Sequence, residues 1–182
     1  LLVSFYRPQG KRRKILAEAK AFPSDRYALV SQIRFHHGDP ATDLIELSPR
    51  PGEHTLRTVD IESAIQQAGD ELALVMMGGV NYYTGQRLDM RTIAAAAAEV
   101  GALCGFDLAH AMGNVPMSLH DWGVDFACWC SYKYLNSGPG AVSGIYVHER
   151  HLGLTDIPRF EGSWGHDKKR RSLMEPDFHP IK

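Results

Sequence analysis

Cysteine is sparse in this sequence: Cys104, Cys128 and Cys130 are the three in 182 residues. Their odd number, their apolar or aromatic neighbours and their spacing fit neither a disulfide framework nor a zinc knuckle, so a reducing, cytoplasmic setting is expected. An excess of charge of one sign is lacking too. Twenty Lys and Arg against 21 Asp and Glu give a formal net charge of -1, which points away from nucleic acid and membrane partners and towards a small-molecule substrate. The basic runs Lys11 to Lys14 and Lys168 to Arg171 carry no interleaved aromatics and read as solvated loops. Long apolar stretches are missing. Runs such as Leu72 to Met77 fall far below the roughly 20 residues of a membrane-spanning helix. His36-His37 and the pair His148 and His151 lack carboxylate or cysteine partners at metal-binding spacing, so no metal is expected. There is no internal repeat, and the five alanines Ala94 to Ala98 are the one low-complexity tract. With 44% hydrophobic and 23% charged residues, disordered and collagen-like chains are excluded and a folded globular chain remains.

What is present is an alternation of strand and helix signals. Ile15 to Phe22 alternates and stops at Pro23, as a strand entering a loop does. Ser24 or Asp25 is placed to cap a helix with Ala28, Leu29 and Ile33 on its apolar stripe and Gly38 at its end. Asp43 to Leu47 reads as a short strand, followed by the turn Pro49-Arg50-Pro51-Gly52. Thr58 can cap a helix with Asp60 and Glu62 in its first turn. Leu72 to Met77 is apolar on both faces, as in a parallel sheet covered by helices, and Gly78-Gly79 ends it. Asp89 caps the next helix, which Gly101 closes, and Ala102 to Asp107, Val124 to Cys128 and Ala141 to His148 are further strands. The pattern predicts an α/β domain with a mainly parallel sheet. Ligands in such folds sit beyond the carboxyl ends of the strands, which directs attention to Phe22 to Asp25, Gly78 to Gly85, Asp107 to Gly113 and Ser131 to Gly140.

Lys133 follows an apolar strand and lies among Trp129, Tyr132 and Tyr134, an unusual place for a solvated lysine. Burial penalises the charged form of a lysine, and a neutral amine is what forms a Schiff base with an aldehyde. By position alone, a lysine snorkelling from a strand end fits as well. Asp107 ends its own strand. A carboxylate there can keep the ring nitrogen of pyridoxal 5′-phosphate (PLP) protonated, which makes the ring an electron sink; it can also be a helix cap. The two together, 26 residues apart, are more specific than either, and that is the spacing of fold-type I PLP enzymes. His110 lies three residues from Asp107 and could stack on or hydrogen-bond near a cofactor, and Tyr132 offers a hydroxyl beside the lysine. Phe22 to Asp25 adds an aromatic face and a second carboxylate.

Phe22-Pro23-Ser24-Asp25, Gly105 to Asn114, His120 to Ala127 and Cys130 to Gly140 closely resemble the kynureninase family, and the resemblance runs over essentially the whole chain. It implies the three-layer, mainly parallel fold of the PLP-dependent transferase (aspartate aminotransferase-like) large domain. Residues 1–182 would be an internal part of that domain, with an N-terminal segment and a C-terminal small domain outside them. The implied reaction is PLP-dependent hydrolysis of L-kynurenine or 3-hydroxykynurenine to anthranilate or 3-hydroxyanthranilate and L-alanine, in tryptophan degradation and NAD synthesis, by a homodimer. Carried over by position, Lys133 is the Schiff-base lysine and Asp107 the partner of the ring nitrogen. Phe22 stacks on the ring, Pro23, Ser24, Asp25 and His110 complete the pocket, and Tyr132 contacts the phosphate and assists proton transfer. Two positions depart from the family pattern: Gly78 stands for a usual Ser, which removes one phosphate hydrogen bond, and Ser163 for a usual Trp, with Trp164 next to it. A cysteine desulfurase-like PLP lyase and a fragment with binding value only are the two rival readings.

Overall fold

The computed structural model describes residues 1–154 and 156–181. Its elements in chain order are α1 (Leu2–Phe5), β1 (Lys14–Glu18), α2 (Pro23–Phe35), α3 (Pro40–Asp43), β2 (Leu44–Leu47), α4 (Thr58–Ala68), β3 (Leu72–Gly78), α5 (Met90–Glu99), β4 (Leu103–Asp107), β5 (Phe126–Trp129) and β6 (Gly144–Val147). The six strands form one sheet in the order β2-β1-β3-β4-β5-β6. Every neighbouring pair is parallel except β5 and β6, which run antiparallel.

Side chains alternate across a strand, so a sheet covered on both faces needs apolar residues at successive positions. Leu16, Val75 and Phe106 join Ile61, Ile65 and Ile93 of α4 and α5 in one core. Ile15, Ala17 and Leu74, their immediate neighbours in sequence, join Phe5, Leu29 and Ile33 of α1 and α2 in the other. The result is the three-layer α/β arrangement expected. Close packing explains Gly105: it pairs with Phe126 on β5, and a Cβ there would fall 2.2 Å from the Phe126 ring. That ring stacks in turn on Phe5 at 4.6 Å. Just before Phe126, at the start of β5, the buried carboxylate of Asp125 accepts from Cys104 N at 2.7 Å and from the Arg150 guanidinium at 2.6 Å. This ion pair fastens the turn after β6 to the sheet.

Several boundaries differ from expectation. β1 ends at Glu18 rather than Phe22, because Lys20 adopts a left-handed φ of 58° and the chain turns there, with Ala21 N donating to Glu18 O at 3.2 Å. Neither Ser24 nor Asp25 caps α2. Pro23, with its φ preset and no N–H to satisfy, starts the helix, and Phe22 is the capping position without a side-chain bond. Asp25 therefore sits in the first turn with its carboxylate free of capping. The left-handed residue after α2 is His37, not Gly38; Gly38 is required because a Cβ there would lie 2.4 Å from Asp43 Oδ2. Asp43 closes the short helix α3, so β2 begins at Leu44. Thr58 is the first residue of α4 instead of its cap. Asp89 does cap α5, accepting from Thr92 N at 3.1 Å, and Gly101, at a φ of 73°, ends it.

Candidate active site

The strand order changes direction between β1 and β3: from β1 the chain moves outward to β2, then returns to the other side of β1. Crevices form at the carboxyl end of such a switch point, because the following loops part to opposite sides. Glu18 ends β1, Gly78 ends β3 and Asp107 ends β4, and Gly78, Asp107 and Cys128 share one register row across the sheet. Phe22, Ser24, Asp25, Asp107, His110, Tyr132 and Lys133 all line one cleft here. Pro23 does not line it and acts through the start of α2. A larger cavity of about 560 Å³ lies beyond Glu18 and Tyr82, where Lys20, Glu53 and His54 line it, but Lys133, Asp25, Asp107 and Phe22 do not. Chemistry, not volume, marks the site.

Asp107 is half-buried, and its Oδ1 accepts the Ala109 N–H at 2.8 Å. Asp25, on α2, shares the cleft with the Asp107 carboxyl. Burial first, then the neighbouring Asp107 carboxylate, push the Asp25 carboxyl up to about 7, with Glu18 adding to the rise and Lys133 opposing it. The Asp25 carboxyl therefore keeps its proton up to near neutrality. Lys133 stands on a turn braced by its own backbone: Asn136 N donates to Lys133 O at 3.0 Å, and Ser137 N to Ser131 O at 3.1 Å. Ser131 Oγ donates to Val142 O at 2.7 Å. This directs the half-buried amine over the Phe22 ring, 5.8 Å from its centroid. Phe22, 47% exposed, meets Tyr82 edge to face at 5.4 Å. Burial and the Lys133 charge lower the His110 imidazole, against the pull of Asp107, so the ring is neutral at neutral pH. The Tyr132 hydroxyl is exposed, and the neighbouring Cys130 thiol raises it.

An amine, a carboxyl pair and an open aromatic face around one cleft suit a flat heteroaromatic ring: Phe22 for its face, Asp107 and Asp25 for a ring N–H, Lys133 for an electrophilic substituent. Among the cleft residues not foreseen from the sequence are Glu18, Tyr82 and Ser143. Glu18 had a signal, a lone carboxylate in the buried run Ile15-Leu16-Ala17-Glu18; Tyr82 had none beyond its place after a strand. At Gly78 a Cβ would point at Glu18 Oε1, 2.9 Å away. Ser163 and Trp164 do not line the cleft; Trp164 is exposed, with the Arg171 guanidinium 4.7 Å over its ring. Among the described residues no group of three or more His, Cys, Asp or Glu side chains could hold a metal, and no helix is long and apolar enough to cross a membrane.

The family model for aminotransferase class-V matches residues 51–169. A kynureninase from Flavobacterium johnsoniae is 58% identical over 181 residues, 100% of this chain and 43% of that protein. A kynureninase from Nematostella vectensis is 56% identical over 181 residues, 100% of this chain and 39% of that protein. The chain thus spans about two fifths of the length of these relatives. Among solved structures, ureidoglycine-glyoxylate aminotransferase from Bacillus subtilis superposes with a TM-score of 0.63 at 21% identity, over 82% of this chain and 35% of that one. That likeness concerns the fold alone.

Proposed function

The chain belongs to the aminotransferase class-V family, and from that premise we propose that its cleft serves the PLP-dependent hydrolysis of L-kynurenine or 3-hydroxykynurenine to anthranilate or 3-hydroxyanthranilate and L-alanine. The observation that carries this reading is the meeting of Lys133, the Asp107–Asp25 carboxyl pair and the Phe22 face in one cleft at the switch point. Identity to kynureninases over the full chain narrows the reaction within the family. PLP, when bound, supplies an aldehyde that takes up amines and a ring that draws electrons from the bond being broken.

The side chains divide the remaining work. Lys133 holds the cofactor covalently in the resting state and then moves the proton at the substrate Cα. Asp107, backed by Asp25, holds the ring nitrogen in its protonated form. Phe22 packs on the ring face, Ser24 and Tyr132 offer hydroxyls to the phosphate and the reacting carbon, and neutral His110 flanks the ring. Pro23 sets the helix start that aims Asp25. Two of the thiols argue against a persulfide-transferring lyase: burial pushes the half-buried Cys128 up to about 11 and the buried Cys104 well above the ordinary thiol range, so neither is a ready nucleophile. In this reading the 182 residues are part of the large domain of a cytoplasmic homodimer acting in tryptophan degradation and NAD synthesis. Free thiols are consistent with the compartment. Exposed Tyr134, Leu135, Val142 and Ile145 around the lysine loop offer apolar surface to a second copy.

The test is an absorbance titration with PLP followed by an assay for anthranilate release from kynurenine. A visible band that Lys133→Ala abolishes, together with anthranilate release, is the expected result. A band without anthranilate release refutes the substrate. No band at any PLP concentration refutes the cofactor.

A further inference from the structure

Glu18 takes no part in the chemistry assigned above, yet it is the most buried acid in the cleft, 6% exposed. A buried carboxylate needs donors, and its two oxygens take one each. Oε1 accepts the Gly78 N–H at 3.3 Å and Oε2 accepts the Asn81 side-chain amide at 3.1 Å. The orientation of that amide is set independently. Asn81 Oδ1 receives Tyr83 N at 3.0 Å, Thr84 N at 2.9 Å and Thr84 Oγ1 at 3.1 Å, so its NH₂ must face Glu18. The turn is otherwise tied through Asn81 N to Gln86 O at 2.8 Å and Gly85 N to Asn81 O at 3.0 Å. Both groups facing Glu18 are donors, and only a side chain with two acceptor oxygens satisfies them. Next in the chain comes Tyr82, whose ring meets Phe22.

We propose that Glu18 is a positioning residue: its carboxylate clamps the turn after β3, so that Tyr82 braces the Phe22 face, and it sets a third carboxylate behind the Asp25–Asp107 pair. The effect on a bound cofactor rests on the function proposed above; the clamp and the charge do not. The titratable groups that share the cleft with this carboxylate are Asp107 at the end of β4, Asp25 on α2, Lys133 after β5 and His110 after β4, beside the thiols Cys128 and Cys130 and the phenols Tyr82 and Tyr132; Lys20, Glu53 and His54 line the cavity on its other side. Asp25 and Asp107 are the ones coupled to Glu18 by charge. Burial and the Asp107 charge raise Glu18 itself, against its two hydrogen bonds.

Glu18→Gln preserves volume but turns an NH₂ towards one of the two donors and removes the charge. In the cofactor-free protein, amide exchange at Gly78 should quicken about tenfold, the loss of one net hydrogen bond. The Asp25 carboxyl, followed by carbon NMR, should titrate at lower pH than in the parent. PLP should bind about tenfold more weakly. Should Glu18→Gln fail to fold, Asn81→Asp carries the exchange and PLP measurements, since it keeps the Oδ1 bonds of the turn and opposes carboxylate to carboxylate. Unchanged Gly78 exchange with an unmoved Asp25 titration overturns the proposal. Quickened exchange and a lowered Asp25 midpoint in a protein whose parent never binds PLP support the clamp and overturn the cofactor reading instead.

Discussion

Asp25→Asn should make the cofactor-free protein more stable at pH 8 and leave it unchanged near pH 4. The folded carboxyl titrates at about 7 against an ordinary 3.8, so between those values the folded chain binds more protons than the unfolded one. Stability then falls as pH rises: the protonated group's contribution is whole below about pH 4 and lost as pH passes 7. Taken at face value the shift amounts to a ceiling of about 4 kcal/mol. Asp25 is only half-buried, and solvent screening reduces this to about 1–2 kcal/mol. Asparagine is the protonated carboxyl's neutral mimic at every pH, so the variant should not lose this amount. Urea unfolding of both proteins from pH 4 to 8, at matched ionic strength, measures the difference directly, because every other titrating group is common to the pair. The reasoning fails if the stability difference is independent of pH, or if the parent is the more stable at pH 8.

Two further outcomes follow from the packing. Because Cys128 is raised to about 11 and Cys104 well above the ordinary thiol range, the thiolate of Cys128 at pH 8 is about one part in a thousand, and both should react with a disulfide reagent only as the chain unfolds. Rapid native-state labelling of either, located by peptide mass, would contradict their burial. Gly105→Ala places a methyl 2.2 Å from the Phe126 ring, which stacks on Phe5 and cannot retreat. The loss should be about 3 kcal/mol, read as a lower urea midpoint at constant slope, and a loss below about 1 kcal/mol would show that the ring can move.

Much of this architecture was legible because an unbroken apolar run of strand length bounded by glycine points to a parallel sheet covered on both faces. Leu72 to Met77 carries both faces in six letters, and β3 is the centre of the sheet. Asp89 and Gly101 were legible as helix ends because their side-chain and backbone chemistry acts within three residues. Thr58 and Ser24 misled for the converse reason: where Pro23 or the extended Arg57 sets the helix start, a good capping residue one place later is inside the first turn. The antiparallel direction of β6 was not legible, since Gly144 to Val147 reads the same whichever way it runs. At the site, Lys133 and Asp107 stood out by residue type against strand ends. Glu18 did not, because its partners Gly78 and Asn81 lie 60 and 63 residues away and only the crossover at the switch point brings them together.

The cleft sets three carboxylates against one lysine in a place where none is fully solvated. On stability alone that arrangement is a poor one: Asp25 and Glu18 are both raised, each chiefly by burial and each further by another carboxylate of the cleft. Local rules broken together at one spot mark a site shaped for something other than folding. A cationic ring nitrogen placed at Asp107 would relieve the repulsion and release the proton that Asp25 keeps. Asp25→Asn should therefore hold the fold better and the cofactor worse, and that opposition separates a functional carboxyl from a structural one. If Asp25 were structural, the same substitution would weaken both; if it were idle, it would change neither.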